Sequence, residues 1–255
     1  MRALHLVERA ARVYRSGWKR SVALTVLQPV LVLSAMGLGV GALVDRSQAA
    51  LPGHVSYVAF LAPGLLAATC MQSAAFESSF PVHGRLVWQG SYLAMAGTPL
   101  RIVDLVLGEL AWVGVRLTIL ATAFLLVAMA FGAAHGWVVL AAVPAAVLTG
   151  LAFSACVLAY SGTLGRSGNY NAMFRFIITP LALFSGVYFP IDRMPPLLQQ
   201  VAWLTPLYHG VQLTRGATLQ TLTGAEASAH AAYLILMAVV GVRLAVVSFT
   251  RKLQA

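Results

Sequence analysis

Apolar residues occupy this chain in long blocks, neither alternating with polar ones nor confined to a narrow helical stripe. Polar residues collect between the blocks. A helix that crosses a bilayer needs about 20 mostly apolar residues. Six blocks meet that length, at about residues 22–44, 55–76, 102–131, 137–164, 172–189 and 229–249. The pattern predicts an all-α polytopic membrane protein: a single transmembrane domain over 1–255 with six spanning helices. Pro29, Pro63, Pro144 and Pro180 fall inside spans one, two, four and five, where each frees a carbonyl and can kink its helix. Gly37 and Gly41 form a small-residue pair suited to close helix packing.

Three stretches outside the blocks carry structure of their own. On a helix over residues 2–20, Leu4, Val7, Ala11, Tyr14 and Trp18 share one narrow face, and bases occupy the flanks. That describes an interfacial helix, assigned to 1–21, lying in the headgroup plane. The connection 77–101 has enough apolar residues for one or two short helices. Trp88, Tyr92 and Met95 stand at i, i+4, i+7, so a helix there presents one aromatic face, to the membrane or to a groove on a partner. The connection 190–227 carries Pro190, Pro195, Pro196 and Pro206. Its apolar pieces are too short to span and too apolar for an exposed loop, which predicts short re-entrant or interfacial helices at 195–204 and 207–219.

Composition narrows the class. The chain is 60% hydrophobic and 9% charged, against roughly 45–50% and 25% in soluble domains. A soluble enzyme, a disordered chain and a coiled coil are excluded. The net charge of +10 has a topological explanation. Of 17 bases, 13 fall on the side of the termini, counting the N-terminal segment, the connections holding Arg85, Arg101, Arg166 and Arg175, and the C-terminal end. Only Arg46, Arg193 and Arg215 fall on the other side. The positive-inside rule then places both termini in the cytoplasm. No cleaved signal peptide is expected, because the first block is too long for an h-region.

The charges within spans are few. Arg116 lies in the middle of the third span, where a charge costs at least about 2.5–3.5 kcal/mol and normally finds a partner. Glu109 lies two turns earlier on the same face, about 10 Å away, with Trp112 between; Glu77, at the inner end of span two, is the other candidate. A structural ion pair joining spans two and three and a place on a substrate route both fit. No phosphate-binding GxxxxGK[ST], no HExxH or HxH and no GxSxG occurs. No catalytic residue, metal site or cofactor is therefore expected on this chain. Cys70 and Cys156 sit in apolar runs with neither disulfide nor metal spacing.

The stretch ITPLALFSGVYFPIDRMPPLLQQ (178–200) followed by PLYHGVQLTR (206–215), with LGVGAL (38–43), YVAFLAPGLLA (57–67), FES (76–78), GR (84–85), TPLRIVDLVLGE (98–109) and TGLAFSA (149–155), resembles the permease subunits of ABC-2 type exporters. Among these it is most similar to the lipo-oligosaccharide (nodulation-factor) branch, with drug exporters nearby. The resemblance implies a dimer of permeases, most simply a homodimer, in the bacterial plasma membrane. It also implies two separate cytoplasmic ATPase subunits that bind ATP and Mg. It makes 77–101 the coupling region, with Arg85, Trp88, Gln89 and Tyr92 as contacts to the ATPase. It makes the connection after span five an outer gate, with Phe189, Pro190, Pro195 and Pro196. It sets a substrate route along spans two and five, for which Met71, Phe174, Ile177 and Phe184 are candidate lining residues. The cargo is then an amphiphile: a lipid, a lipo-oligosaccharide or a hydrophobic drug. The competing reading is an ion-coupled secondary transporter or channel subunit, which predicts transport by the chain alone.

Overall fold

The computed structural model describes residues 27, 29–41, 55–97, 100–133, 136–165 and 169–254. The interfacial helix expected at 1–21 lies outside the described residues, as do Arg46 and Arg166. The first block is helical over 29–34 and continues into α1 (Ala35–Gly41). Then come α2 (Tyr57–Ser78), α3 (Phe80–His83), α4 (Ser91–Ala96), α5 (Ile102–Ala130) and α6 (Ala142–Thr163). The fifth block forms α7 (Tyr170–Phe184). Two short helices, α8 (Pro196–Leu204) and α9 (Pro206–Leu219), precede the long α10 (Gly224–Gln254).

Among the described residues, four helices are long and apolar enough to cross a membrane: Tyr57–Trp88, Ile102–Ala130, Val138–Thr163 and Gly224–Gln254. The fifth block departs from expectation. Its helix stops at Phe184 and residues 185–189 bend away, with Gly186 at φ 78°, a left-handed conformation that favours glycine. The connection after span two also differs. It does not leave the helix at Glu77; the helical path runs on through Gly84–Trp88 and ends only where Gly90 turns left-handed at φ 61°.

Helix α6 is the central post. It has no charged residue, and it packs against α2, α5, α9 and α10. Such approach requires small residues. A Cβ on Gly241 of α10 would lie 2.9 Å from backbone atoms of Ala155 and Cys156, and one on Gly210 of α9 would lie 2.3 Å from Thr149 Oγ1. Hydroxyls supply the polar links: Ser78 Oγ to Ser154 Oγ at 2.6 Å, Ser161 Oγ to Ser78 O at 2.8 Å, and Thr214 Oγ1 to Pro63 O at 2.9 Å. The faces of α5 and α10 turned from α6 are apolar and exposed, with Val115, Ile119 and Leu126 on one and Leu236, Val240, Leu244 and Val247 on the other. An apolar surface of this extent belongs against lipid.

Candidate functional site

The helices expose two ends, and the charged chemistry collects at one of them. This basic end contains the α2–α5 connection, the α6–α7 connection and the end of α10. The opposite, proline-rich end contains residues 185–223.

One ion-pair centre sits at the basic end and a second lies deeper, at the middle of α5. In the first, Arg85 donates Nη1 and Nη2 to the two oxygens of Glu109 at 2.7 and 2.9 Å. The Tyr92 hydroxyl donates to Glu109 Oε1 at 2.7 Å. Arg85 Nε also reaches Pro81 O at 3.2 Å, and its guanidinium lies 5.4 Å from the Tyr92 ring centre. A bidentate pair has geometric specificity as well as strength. It fastens the connection onto α5, while Val82, Leu86 and Tyr92 pack with Leu105, Val106 and Phe249 in a separate small core. In the second centre Arg116 Nε pairs with Glu77 Oε1 at 3.1 Å, joining α5 to α2.

The structure therefore redistributes the expected roles. Glu77 pairs with Arg116, whereas the carboxylate of Glu109 is taken by Arg85 and Tyr92. Two turns along one helix is a longer reach than the gap to a neighbouring helix, so the partner comes from α2. The expected aromatic face of Trp88, Tyr92 and Met95 does not form on one helix. Gly90 breaks the helix between Trp88 and Tyr92. Trp88 is 70% exposed, while Tyr92 is 1% exposed and faces inward. Of the four expected partner contacts, Trp88 and Gln89 are exposed; Arg85 and Tyr92 are engaged within the chain.

Beside the second ion pair lies a cavity of about 470 Å³ between α2, α5 and α7. Gln72, Ser73, Glu77 and Arg116 form its polar side, and Phe76, Phe174 and Ile178 its apolar side. A second cavity of about 540 Å³, on the α6–α7 side, is apolar and includes Ile177, Met173, Phe153 and Met237. Phe174 and Ile177, both expected on a route, thus face different cavities. Met71 is 0% exposed and belongs to the main core, so it lines neither, and Phe184 lies on the exposed face of α7.

The wall that α7 presents has a local cause. Pro180 lacks an N–H, and the preceding turn widens: Thr179 sends both its N–H and its hydroxyl to Phe174 O, the latter at 2.9 Å. A widened turn of this kind often marks functional positions. His83 is a residue that spacing alone did not single out. It is buried with neither ring nitrogen hydrogen-bonded, edge-on to Trp88 and Tyr170 at 5.5 Å from each.

At the proline-rich end, among the described residues, no carboxylate holds Arg215. It donates to Gly186 O at 2.9 Å and Phe60 O at 3.3 Å and stacks over the Phe60 ring at 3.9 Å. His209 and His230 share a contact between their Nδ1 atoms at 2.8 Å, with Tyr233 stacked on His209 and its hydroxyl donating to Leu204 O at 2.8 Å. Of the expected gate residues, Pro190 is buried, whereas Phe189, Pro195 and Pro196 are exposed. Among the described residues no group of three or more His, Cys, Asp or Glu is placed to hold a metal.

Comparison with known proteins decides the family. The profile described as ABC-2 type transporter matches residues 3–219. The chain belongs to the ABC-2 type transporter family. Its relatives include proteins named Nodulation protein J. The one from Rhizobium leguminosarum bv. viciae is 34% identical over 207 residues, covering 79% of this chain and 78% of the relative. The one from Sinorhizobium fredii is 33% identical over 241 residues, covering 92% and 89%. Another, from Bradyrhizobium diazoefficiens, is also 33% identical over 241 residues, covering 92% and 89%. ABC-2 permeases are transmembrane transport subunits without ATPase activity of their own, and they normally work with an ATP-binding subunit. The ABC-2 assignment fits a sequence in which no GxxxxGK[ST] occurs.

Proposed function

We propose that this ABC-2 chain is the permease subunit of an ATP-driven exporter that moves an amphiphile out of the cytoplasm or the inner leaflet. The cavity beside Glu77 and Arg116 carries the reading. It offers an ion pair and amide to a polar headgroup on one side and two phenylalanines to an acyl or aromatic body on the other. Relatives bearing the name Nodulation protein J support the lipo-oligosaccharide branch within that class. The basic end faces the cytoplasm in this reading, both termini are cytoplasmic, and the membrane is the bacterial inner membrane.

Two permeases, as a homodimer, pair with two cytoplasmic ATPase subunits that hold ATP and Mg. The Arg85–Glu109–Tyr92 clamp makes the connection rigid, and Trp88 with Gln89 stands clear of it as the part that enters the partner's groove. Nucleotide acts by preferring one conformation of the complex, because a ligand shifts an equilibrium only by its differential affinity. The segment from Phe189 through Pro196 then works as the outer gate.

The test is co-reconstitution of the permease with its cognate ATPase in liposomes. The expected result is a complex with vanadate-sensitive, amphiphile-stimulated ATPase activity. Trp88→Ala should keep the chain folded but abolish the stimulation. Absence of both complex and activity, or gradient-driven transport by the permease alone, overturns the reading.

A further inference from the structure

A groove of about 720 Å³ runs between the end of α6 and the last turns of α10. Tyr160, Leu244 and Val247 make its apolar wall; Thr163, Arg251 and Lys252 stand at its mouth. Helix α10 presses onto α6 at its side: a Cβ on Gly162 would fall 2.3 Å from Ser248 Oγ. Lys252 Nζ donates to Leu164 O, which places its ammonium over the groove. An ammonium has three donors, so two of them are left to point at a ligand. Arg251 is exposed beside it. Among the described residues no carboxylate lines the groove, and no acidic residue follows Glu226 in the chain.

The apolar wall does not stop at the groove. Leu244 and Val247 continue the stripe of Leu236 and Val240 along the exposed face of α10, one face of a helix at three- and four-residue spacing. An occupant that matches both parts has an anionic head at the helix end and a hydrocarbon tail along the helix. A free anion would use the bases and leave the wall unmatched. A basic pocket between membrane helices at the leaflet surface has the chemistry of an anionic lipid site, and Tyr160 sits where aromatic residues meet headgroups.

We infer that the α6–α10 groove binds one anionic phospholipid, its phosphate held by Arg251 and Lys252 and an acyl chain lying on Leu244 and Val247. This lipid is a resident of the permease, separate from the cavity beside Glu77, and its binding does not depend on the export reading.

The test uses the purified full-length chain in detergent micelles without any ATPase. It is titrated with dioleoyl-phosphatidylglycerol, dioleoyl-phosphatidylcholine or inorganic phosphate, and retained lipid is counted by native mass spectrometry. Each base near an anionic group is worth about fivefold in affinity. Phosphatidylglycerol should therefore be held about 25-fold more tightly than phosphatidylcholine. Arg251→Gln should remove about fivefold of that preference, and Arg251→Gln with Lys252→Gln should remove nearly all of it. Val247→Trp should weaken both lipids and leave their ratio unchanged. Circular dichroism confirms folding, and if the double variant does not fold, Arg251→Gln alone decides. Equal retention of the two lipids by the unaltered chain, an unchanged ratio in Arg251→Gln, or displacement of phosphatidylglycerol by inorganic phosphate overturns the inference.

Discussion

The two ends of this permease solve the same problem by different means. Each must hold connecting chain and short helices against the long helices. At the basic end the work is done by an ion pair, Arg85 with Glu109, while a second pair, Arg116 with Glu77, joins the long helices α5 and α2 deeper in the bundle. At the proline-rich end it is done by neutral partners, since Arg215 is tied to carbonyls and an aromatic ring, Ser185 Oγ meets Thr205 Oγ1 at 2.9 Å, and His209 meets His230. The difference matches the proposed division of labour between a coupling end and a gating end. A bidentate pair keeps one geometry and transmits force along it. Hydroxyls, carbonyls and rings can exchange partners at lower cost, which suits the gate proposed for this segment.

The comparison breaks most sharply at Glu109. Removing one partner of a largely buried pair leaves the other charge uncompensated, at roughly 3–5 kcal/mol. Arg85 keeps 30% of its side chain exposed, so Glu109→Ala should fall at the lower edge of that range. It also leaves the buried Tyr92 hydroxyl without this acceptor. The expected outcome is the largest drop in detergent thermal midpoint of the changes considered, together with increased proteolysis between Ser79 and Gly97. Glu109→Gln, which retains an acceptor for Tyr92, should lose less. A double-mutant cycle with Arg85→Ala should show strong coupling. Independent, additive effects would mean that the clamp does not hold the connection.

A smaller effect is expected at the other end from Arg215→Leu. Two carbonyls lose a donor there, and an unsatisfied buried acceptor costs about 1–3 kcal/mol. Part of the packing over Phe60 survives, because leucine still covers the ring. Arg215→Lys should fall between, since the ammonium keeps the charge and can still donate but lacks the planar group that stacks on Phe60. A midpoint drop as large as that of Glu109→Ala would erase the proposed distinction between the ends.

How much of this was legible beforehand differs between the ends as well. The apolar blocks announce the long helices because a spanning helix satisfies its own backbone, so its length and hydropathy are local properties. Pro196 and Pro206 likewise announce α8 and α9, since proline suits a first helical turn wherever the helix ends up. The ion pairs depend on neighbours in space. Glu77, Glu109 and Arg116 could be named as the charges that topology leaves unexplained, yet their pairing, and the capture of Glu109 by Arg85, follow from how α2, α5 and their connection pack. Tyr92 shows the limit most clearly. Its periodicity with Trp88 is real, but one left-handed glycine between them turns one ring outward and the other inward. The burial of Met71 was likewise a matter of packing, because nearly every face of α2 is covered.

The smallest expected effect tests whether the proline-rich end is held by neutral groups. Burial, and then the proximity of His230, holds His209 below its ordinary value of 6.5. The groups facing it are His230, Tyr208 and Tyr233, with the Trp203 carbonyl accepting at or near 3.1 Å from Nε2. Glu226 lies one turn before His230 and is the nearest acid along α10. A histidine whose folded pKa is lowered binds its proton more weakly in the folded chain than in the unfolded one. Stability is therefore flat above about pH 7 and falls as pH drops through 6.5 toward the folded value, below which it levels off. In detergent the thermal midpoint should be lower at pH 5 than at pH 8. His209→Phe, which keeps the stack on Tyr233 but cannot take a proton, should lose most of that dependence. A pH dependence that survives His209→Phe unchanged would place the titrating group elsewhere, and the neutral contact at this end would no longer distinguish it from the ionic one.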